Sequence, residues 1–193
     1  MKSLILLTLF AVFGCSIAGK SLCKTTYTEY NSDGGGNIYY LDRHNLKCDE
    51  GFALNSFKLE RDGAGNYRYS GWCCSLENSF VNRAYSNPFT PGSNEAVYLD
   101  RQIVSCNENF ISSFQLKRLD SYVSYSYSCS KSSKPKSCYE DNTAFNDAGG
   151  NSGNVLYLDR HVVACKCDYL ISKFQLVRNP NLKQWQYAFS CCK

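Results

Sequence analysis

The tetrapeptide Tyr-Leu-Asp-Arg occurs three times in this chain, at residues 40–43, 98–101 and 157–160, and each copy opens a longer shared pattern. The starts lie 58 and 59 residues apart, which makes the chain a tandem threefold repeat. Five residues after each Arg stands a cysteine (Cys48, Cys106, Cys165), and eight or nine residues later a Phe-x-Leu-x-Arg at 57–61, 114–118 and 174–178. Each unit closes on an alternating aromatic run that ends in cysteine. The units span about 20–76, 77–130 and 131–193, and together they form one domain, 19–193.

The first 18 residues carry Lys2, an apolar run, and Ser16-Ile17-Ala18 as a small-x-small cleavage site, the pattern of a secretory signal peptide. The expected location is extracellular. The chain has 12 cysteines, and cleavage after Ala18 removes Cys15 and leaves eleven. That density in an exported chain reads as a disulfide framework. With two histidines and no Cys-x-x-Cys knuckle, the sequence offers no metal site, and it shows no cofactor motif. The formal net charge of +4 is spread without a basic stripe, so no nucleic-acid partner is expected. Lys131, Lys134 and Lys136 fall in a Ser/Lys/Pro connector.

The closing run of each unit alternates with period two, the mark of a strand with one buried face. Tyr67, Tyr69, Gly71 and Cys73 share a face in the first unit, Val123, Tyr125, Tyr127 and Cys129 in the second, and Trp185, Tyr187, Phe189 and Cys191 in the third. Each core-facing cysteine pairs with the cysteine after its unit's Tyr-Leu-Asp-Arg, giving Cys48–Cys73, Cys106–Cys129 and Cys165–Cys191. Neighbouring strand residues point apart, so Cys74 and Cys192 need other partners. The second unit has Ser130 at this position and also lacks an early cysteine. That joint absence pairs Cys23 with Cys74 and Cys138 with Cys192. Cys167 is left over, and is expected as a free thiol or an intermolecular link that would make a homodimer.

The expected fold is all-β: three tandem four-stranded repeats with pseudo-threefold symmetry, stapled by disulfides. The four strands are an aromatic opening segment (25–30, 79–85, 142–145), the Tyr-Leu-Asp-Arg segment, the Phe-x-Leu-x-Arg segment and the closing run. A β-prism and a β-trefoil both satisfy this, and the length of the unit favours the prism.

The run of a cysteine, a short apolar segment, Phe-x-Leu and then Tyr-x-Tyr/Phe-x-Cys resembles the repeat of secreted β-prism proteins of the vitelline membrane outer layer family. It is also similar to the cysteine-rich threefold β-domain at the C-terminus of apicomplexan perforin-like proteins. The first resemblance implies an extracellular coat component; the second implies a module that recognises membranes or glycans.

Asp42, Asp100 and Asp159 recur with the second repeated arginine (Arg61, Arg118, Arg178), and threefold recurrence fits structural ion pairs better than a catalytic centre. His44 and His161 have Gln102 as their counterpart. Gln replaces a hydrogen-bonding side chain but not a proton shuttle, so these histidines are expected at the surface, and no enzyme is expected. The Gly-rich loops 31–37 and 146–154 hold Asp33, Asn37, Asp147 and Asn154 beside Tyr30, Tyr39 and Phe145. They are the place to look for a ligand, and turn chemistry by itself also explains them. The function expected is lectin-like or membrane-surface recognition, with an extracellular matrix or coat component as the alternative.

Overall fold

The computed structural model describes residues 22–76, 80–92, 94–107, 109–131, 137–179, 181 and 183–193. The expected signal segment 1–18, Lys134 and Lys136 lie outside these. The first unit contributes β1 (Cys23–Tyr27), β2 (Asn31–Ser32), a 3₁₀ helix (Ile38–Arg43), β3 (Leu46–Lys47), β4 (Phe52–Arg61) and β5 (Asn66–Ser75). The second follows with β6 (Phe80–Ser86), β7 (Thr90–Pro91), a 3₁₀ helix (Ala96–Arg101), β8 (Ile103–Ser105), β9 (Phe110–Leu119) and β10 (Tyr122–Lys131). The third repeats the order as β11 (Cys138–Asn142), β12 (Asn146–Asp147), a 3₁₀ helix (Val155–Arg160), β13 (Val162–Ala164), β14 (Leu170–Asn179) and β15 (Gln184–Cys192).

These strands make three five-stranded antiparallel sheets, and none of the three is built from one unit. The first unit's hairpin β4–β5, with β1 and β2, receives β13 from the third unit. The second unit's β9–β10 receives β3 from the first, and the third unit's β14–β15 receives β8 from the second. The exchange closes on itself. A bulge in each Phe-x-Leu strand locks it, because the bulged residue's carbonyl turns outward to accept the next chain segment: Cys48 N–H donates to Ser112 O at 2.9 Å, Cys106 to Ser172 at 2.8 Å and Cys165 to Asn55 at 3.0 Å.

The Phe-x-Leu phenylalanines meet where the three sheets face one another. Phe57, Phe114 and Phe174 lie 4.9 to 5.0 Å apart in all three pairings, in tilted or edge-to-face contacts. Tyr69, Tyr125 and Tyr187 pack around this trio, and burial drives their phenols to higher pKa.

Five disulfides join Cys23 to Cys74, Cys48 to Cys73, Cys106 to Cys129, Cys138 to Cys192 and Cys165 to Cys191, the pairs drawn from the repeat comparison. Such a set belongs to an oxidising, extracellular-type environment. Cys167 is disulfide-bonded as well. No helix among the described residues is long and apolar enough to cross a membrane.

The Tyr-Leu-Asp-Arg segments are 3₁₀ helices and not strands. With three residues per turn, Tyr and Arg stand one above the other. The guanidinium therefore covers the ring, at 4.2 Å for Arg43 on Tyr40, 4.3 Å for Arg101 on Tyr98 and 4.1 Å for Arg160 on Tyr157. Leu41, Leu99 and Leu158 point into the core. Asn37 and Asn154 cap two of these helices, each side-chain oxygen accepting from the backbone N–H two residues on. The opening strand of the third unit runs over Cys138–Asn142, earlier than the 142–145 expected.

Candidate functional site

In two of the three Tyr-Leu-Asp-Arg copies the Asp reaches out of its own unit. Arg61 donates Nε to Asp159 Oδ2 at 2.7 Å, and Arg178 donates Nε to Asp100 Oδ2 at 2.6 Å. Each pair thus crosses a unit boundary in the same cyclic sense as the strand exchange. Arg118 departs from the pattern. It donates Nε to Asp120 O and lies over the Tyr39 ring at 4.2 Å, and no Asp42–Arg118 ion pair forms among the described residues.

Around each of these three arginines the chain builds the same walls: a loop before the 3₁₀ helix, the hairpin turn after the Phe-x-Leu strand, and the 3₁₀ helix of the neighbouring unit. At Arg61 the walls stand apart and leave an open, polar cleft of about 650 Å³, lined by Tyr30, Asp33, Asn66, Arg61 and Asp159. At Arg178 they enclose a smaller cavity of about 190 Å³. At Arg118 a side chain from the first unit takes up this place among the described residues. Tyr39, only 8 % exposed, occupies it against Arg118, and a Cβ on Gly92 would already stand 2.9 Å from Val123 and 3.4 Å from Tyr39. Tyr39 is therefore not a free stacking surface, as the sequence suggested, but the side chain that fills the second unit's place.

The Arg61 cleft brings together three residues singled out from sequence, Tyr30, Asp33 and Asp159, with Arg61 itself. Asp33 is held in position: its N–H donates to Gly65 O at 2.9 Å, its Oδ1 accepts from Gly35 N–H at 2.8 Å, and its carbonyl accepts from Gly36 N–H at 2.9 Å. Gly34 adopts φ +57°, and a Cβ there would stand 2.3 Å from the Tyr40 ring, so the loop needs glycine for close approach as well as for backbone freedom. Tyr30 is 40 % exposed, and Arg68, bonded to Glu60 at 3.1 Å, lies over its ring at 4.5 Å. Opposite Asp33, Asp62 accepts from Ala64 N–H, Asn66 N–H and Asn66 Nδ2, and these bonds, led by the Asn66 side chain, hold its carboxyl below the usual range.

Asn37 and Asn154 are helix caps, and Asn154 Nδ2 also donates to Gly35 O at 3.4 Å. Asp147 accepts from Gly149 N–H at 3.0 Å and pairs with Arg160 at 3.6 Å. Phe145 is 40 % exposed.

His44 and His161 correct the surface expectation, for they are 0 % and 1 % exposed. Thr28 Oγ1 accepts from Tyr69 N–H at 2.9 Å and lies 3.0 Å from His44 Nδ1; Thr143 Oγ1 accepts from Tyr187 N–H at 3.0 Å and lies 2.9 Å from His161 Nδ1. The imidazole tautomer sets which partner donates in each Thr–His bond, and neither ring's Nε2 has a hydrogen-bond partner among the described residues. Burial, with the neighbouring Arg43 or Arg160, pulls both imidazoles down from 6.5 to about 4. Gln102 does the same work more directly: its Oε1 accepts from Tyr125 N–H at 3.2 Å and its Nε2 donates to Thr90 Oγ1 at 2.7 Å. The substitution between units therefore conserves a buried bond to the closing strand.

No group of three or more His, Cys, Asp or Glu side chains among the described residues is arranged to hold a metal ion. No protein-family model matches the chain, and no curated protein matches it in sequence.

Proposed function

We propose that this chain is a secreted, non-enzymatic recognition module with a β-prism arrangement of its three sheets, and that it binds extracellular glycans through the Arg61 cleft. The observation that carries this reading is the lining of the cleft. Asp33 offers an acceptor, Arg61 a donor beside the Asp159 carboxylate that holds it, and Tyr30 an apolar face, a set that suits hydroxyls on a ring with one apolar side. Rigid strands and an inter-unit ion pair hold these groups, so little ordering is needed on binding. The burial of both histidines against threonines favours recognition over acid–base chemistry.

A glycan array with the secreted protein, followed by titration of the best binder, tests this. Asp33→Ala and Tyr30→Ala are each expected to weaken binding at least tenfold with the thermal midpoint within a few degrees of wild type. Unchanged binding in both variants removes the site from this cleft. The second reading, a structural component of an extracellular coat or matrix, draws on the closed strand exchange and five bridges. Absence of any glycan binding, with concentration-dependent self-association, favours it.

A further inference from the structure

Two changes between units shape the cavity at Arg178. The position that carries Tyr39 in the packed copy carries Val97 here, and the smaller side chain leaves the space that the Tyr39 ring fills beside Arg118. Behind it stands Trp185, fully buried, where the packed copy has Val123. The larger residue has moved from the mouth to the back wall, and about 190 Å³ is left between.

The chemistry of this cavity differs from that of the Arg61 cleft. The cleft is lined by three carboxylates, Asp33, Glu60 and Asp159, against two cations, Lys58 and Arg61. The cavity is lined by two cations, Arg178 and Lys183, and by no carboxylate. Asp100 engages Arg178 through Nε, and the terminal guanidinium nitrogens have no other partner among the described residues. Amides of Asn151, Asn179 and Gln184 ring the cations, while Val97, Ala148 and Trp185 make an apolar floor.

We propose that this cavity is a second binding site, selective for a single acidic sugar residue bearing a carboxylate or a sulfate. The acidic group sits between Lys183 and Arg178, the amides meet ring hydroxyls, and the apolar floor takes the ring's hydrophobic side. The chain then carries two unlike sites from one repeated frame, and binding to a glycan displaying both residues gains from their linkage. This rests on the recognition reading but uses different residues.

The test titrates the intact secreted protein with a glucuronate-ended disaccharide, a sulfated disaccharide, their uncharged parent and sodium sulfate, following the Trp185 indole N–H resonance. At least one acidic sugar is expected to bind ten times more tightly than the parent and to weaken with added salt. The two acidic probes, run side by side, separate carboxylate from sulfate recognition. Lys183→Glu is expected to weaken that binding at least tenfold, and Val97→Tyr, which copies the packed unit, to abolish it, while Asp33→Ala leaves it intact. Acidic-sugar binding unchanged in both Lys183→Glu and Val97→Tyr, or equal binding of the uncharged parent, overturns the assignment while glycan binding lost in Asp33→Ala keeps the cleft. Sulfate ion binding as tightly as the sulfated sugar overturns sugar as the ligand. No binding by any glycan removes both sites together.

Discussion

Asp159, from the third unit, holds Arg61, from the first, at 2.7 Å, and that contact links two units that the closed strand exchange brings together. Arg61 is 45 % exposed at its side chain while Asp159 is 19 % exposed, so water screens the pair from one side. Such a screened pair contributes little to the stability of the fold.

That exposure decides the size of the effect of removing it. Asp159→Ala and Asp100→Ala are each expected to cost about 1 kcal/mol, the upper range for exposed ion pairs, read from urea unfolding at neutral pH. The loss should shrink in high salt. A cost above about 3 kcal/mol would show that the arginine is left as an uncompensated buried charge.

The buried histidines make stability fall in mild acid. In the unfolded chain both rings titrate near 6.5, and in the folded chain near 4. Between those values the unfolded chain binds more protons, so their contribution is complete above pH 6.5 and is lost as pH drops through that window. Urea midpoints measured from pH 7.5 to 4.5 should therefore decline, and the double variant His44→Gln/His161→Gln should flatten the decline, since Gln102 already serves in that place. Identical pH profiles for the two proteins would count against a neutral buried imidazole.

Protection from hydrogen exchange should differ between otherwise equivalent edge strands. Cys23 ties β1 to β5 and Cys138 ties β11 to β15, whereas β6 pairs with β10 without the corresponding bridge. Amides of β6 are expected to exchange at least tenfold faster than those of β1 and β11, because the edge opens without unfolding the sheet. Comparable protection in all three would mean that the outer bridges add nothing to local stability.

Much of this molecule was legible from spacing and alternation. Period-two aromatics placed Cys73, Cys129 and Cys191 inward, and the joint absence of two cysteines from the second unit identified the outer bridges. Those signals are local or arise by comparing copies, so one chain contains them. The i, i+3 spacing of Tyr and Arg in each Tyr-Leu-Asp-Arg was also present and marks a 3₁₀ turn, but a six-residue helix gives too short a pattern to stand out from a strand. The histidines were misplaced for a related reason: substitution by Gln shows that polarity is kept, and says nothing about depth.

Tertiary structure alone decided which unit each contact belongs to. A threefold repeat makes every partner available in three copies at equal chemistry, and Asp42, Asp100 and Asp159 look alike in sequence. Only the cyclic exchange of β3, β8 and β13 selects Arg61 for Asp159 and Arg178 for Asp100. The same exchange sets Tyr39 against Arg118 and Val97 beside Arg178, so one place is filled and another left hollow. Sequence determined the repeated frame and its staples, because each copy must bury the same faces; the cleft and the cavity follow from how neighbouring copies meet, which depends on side-chain volume across a boundary that no single unit contains.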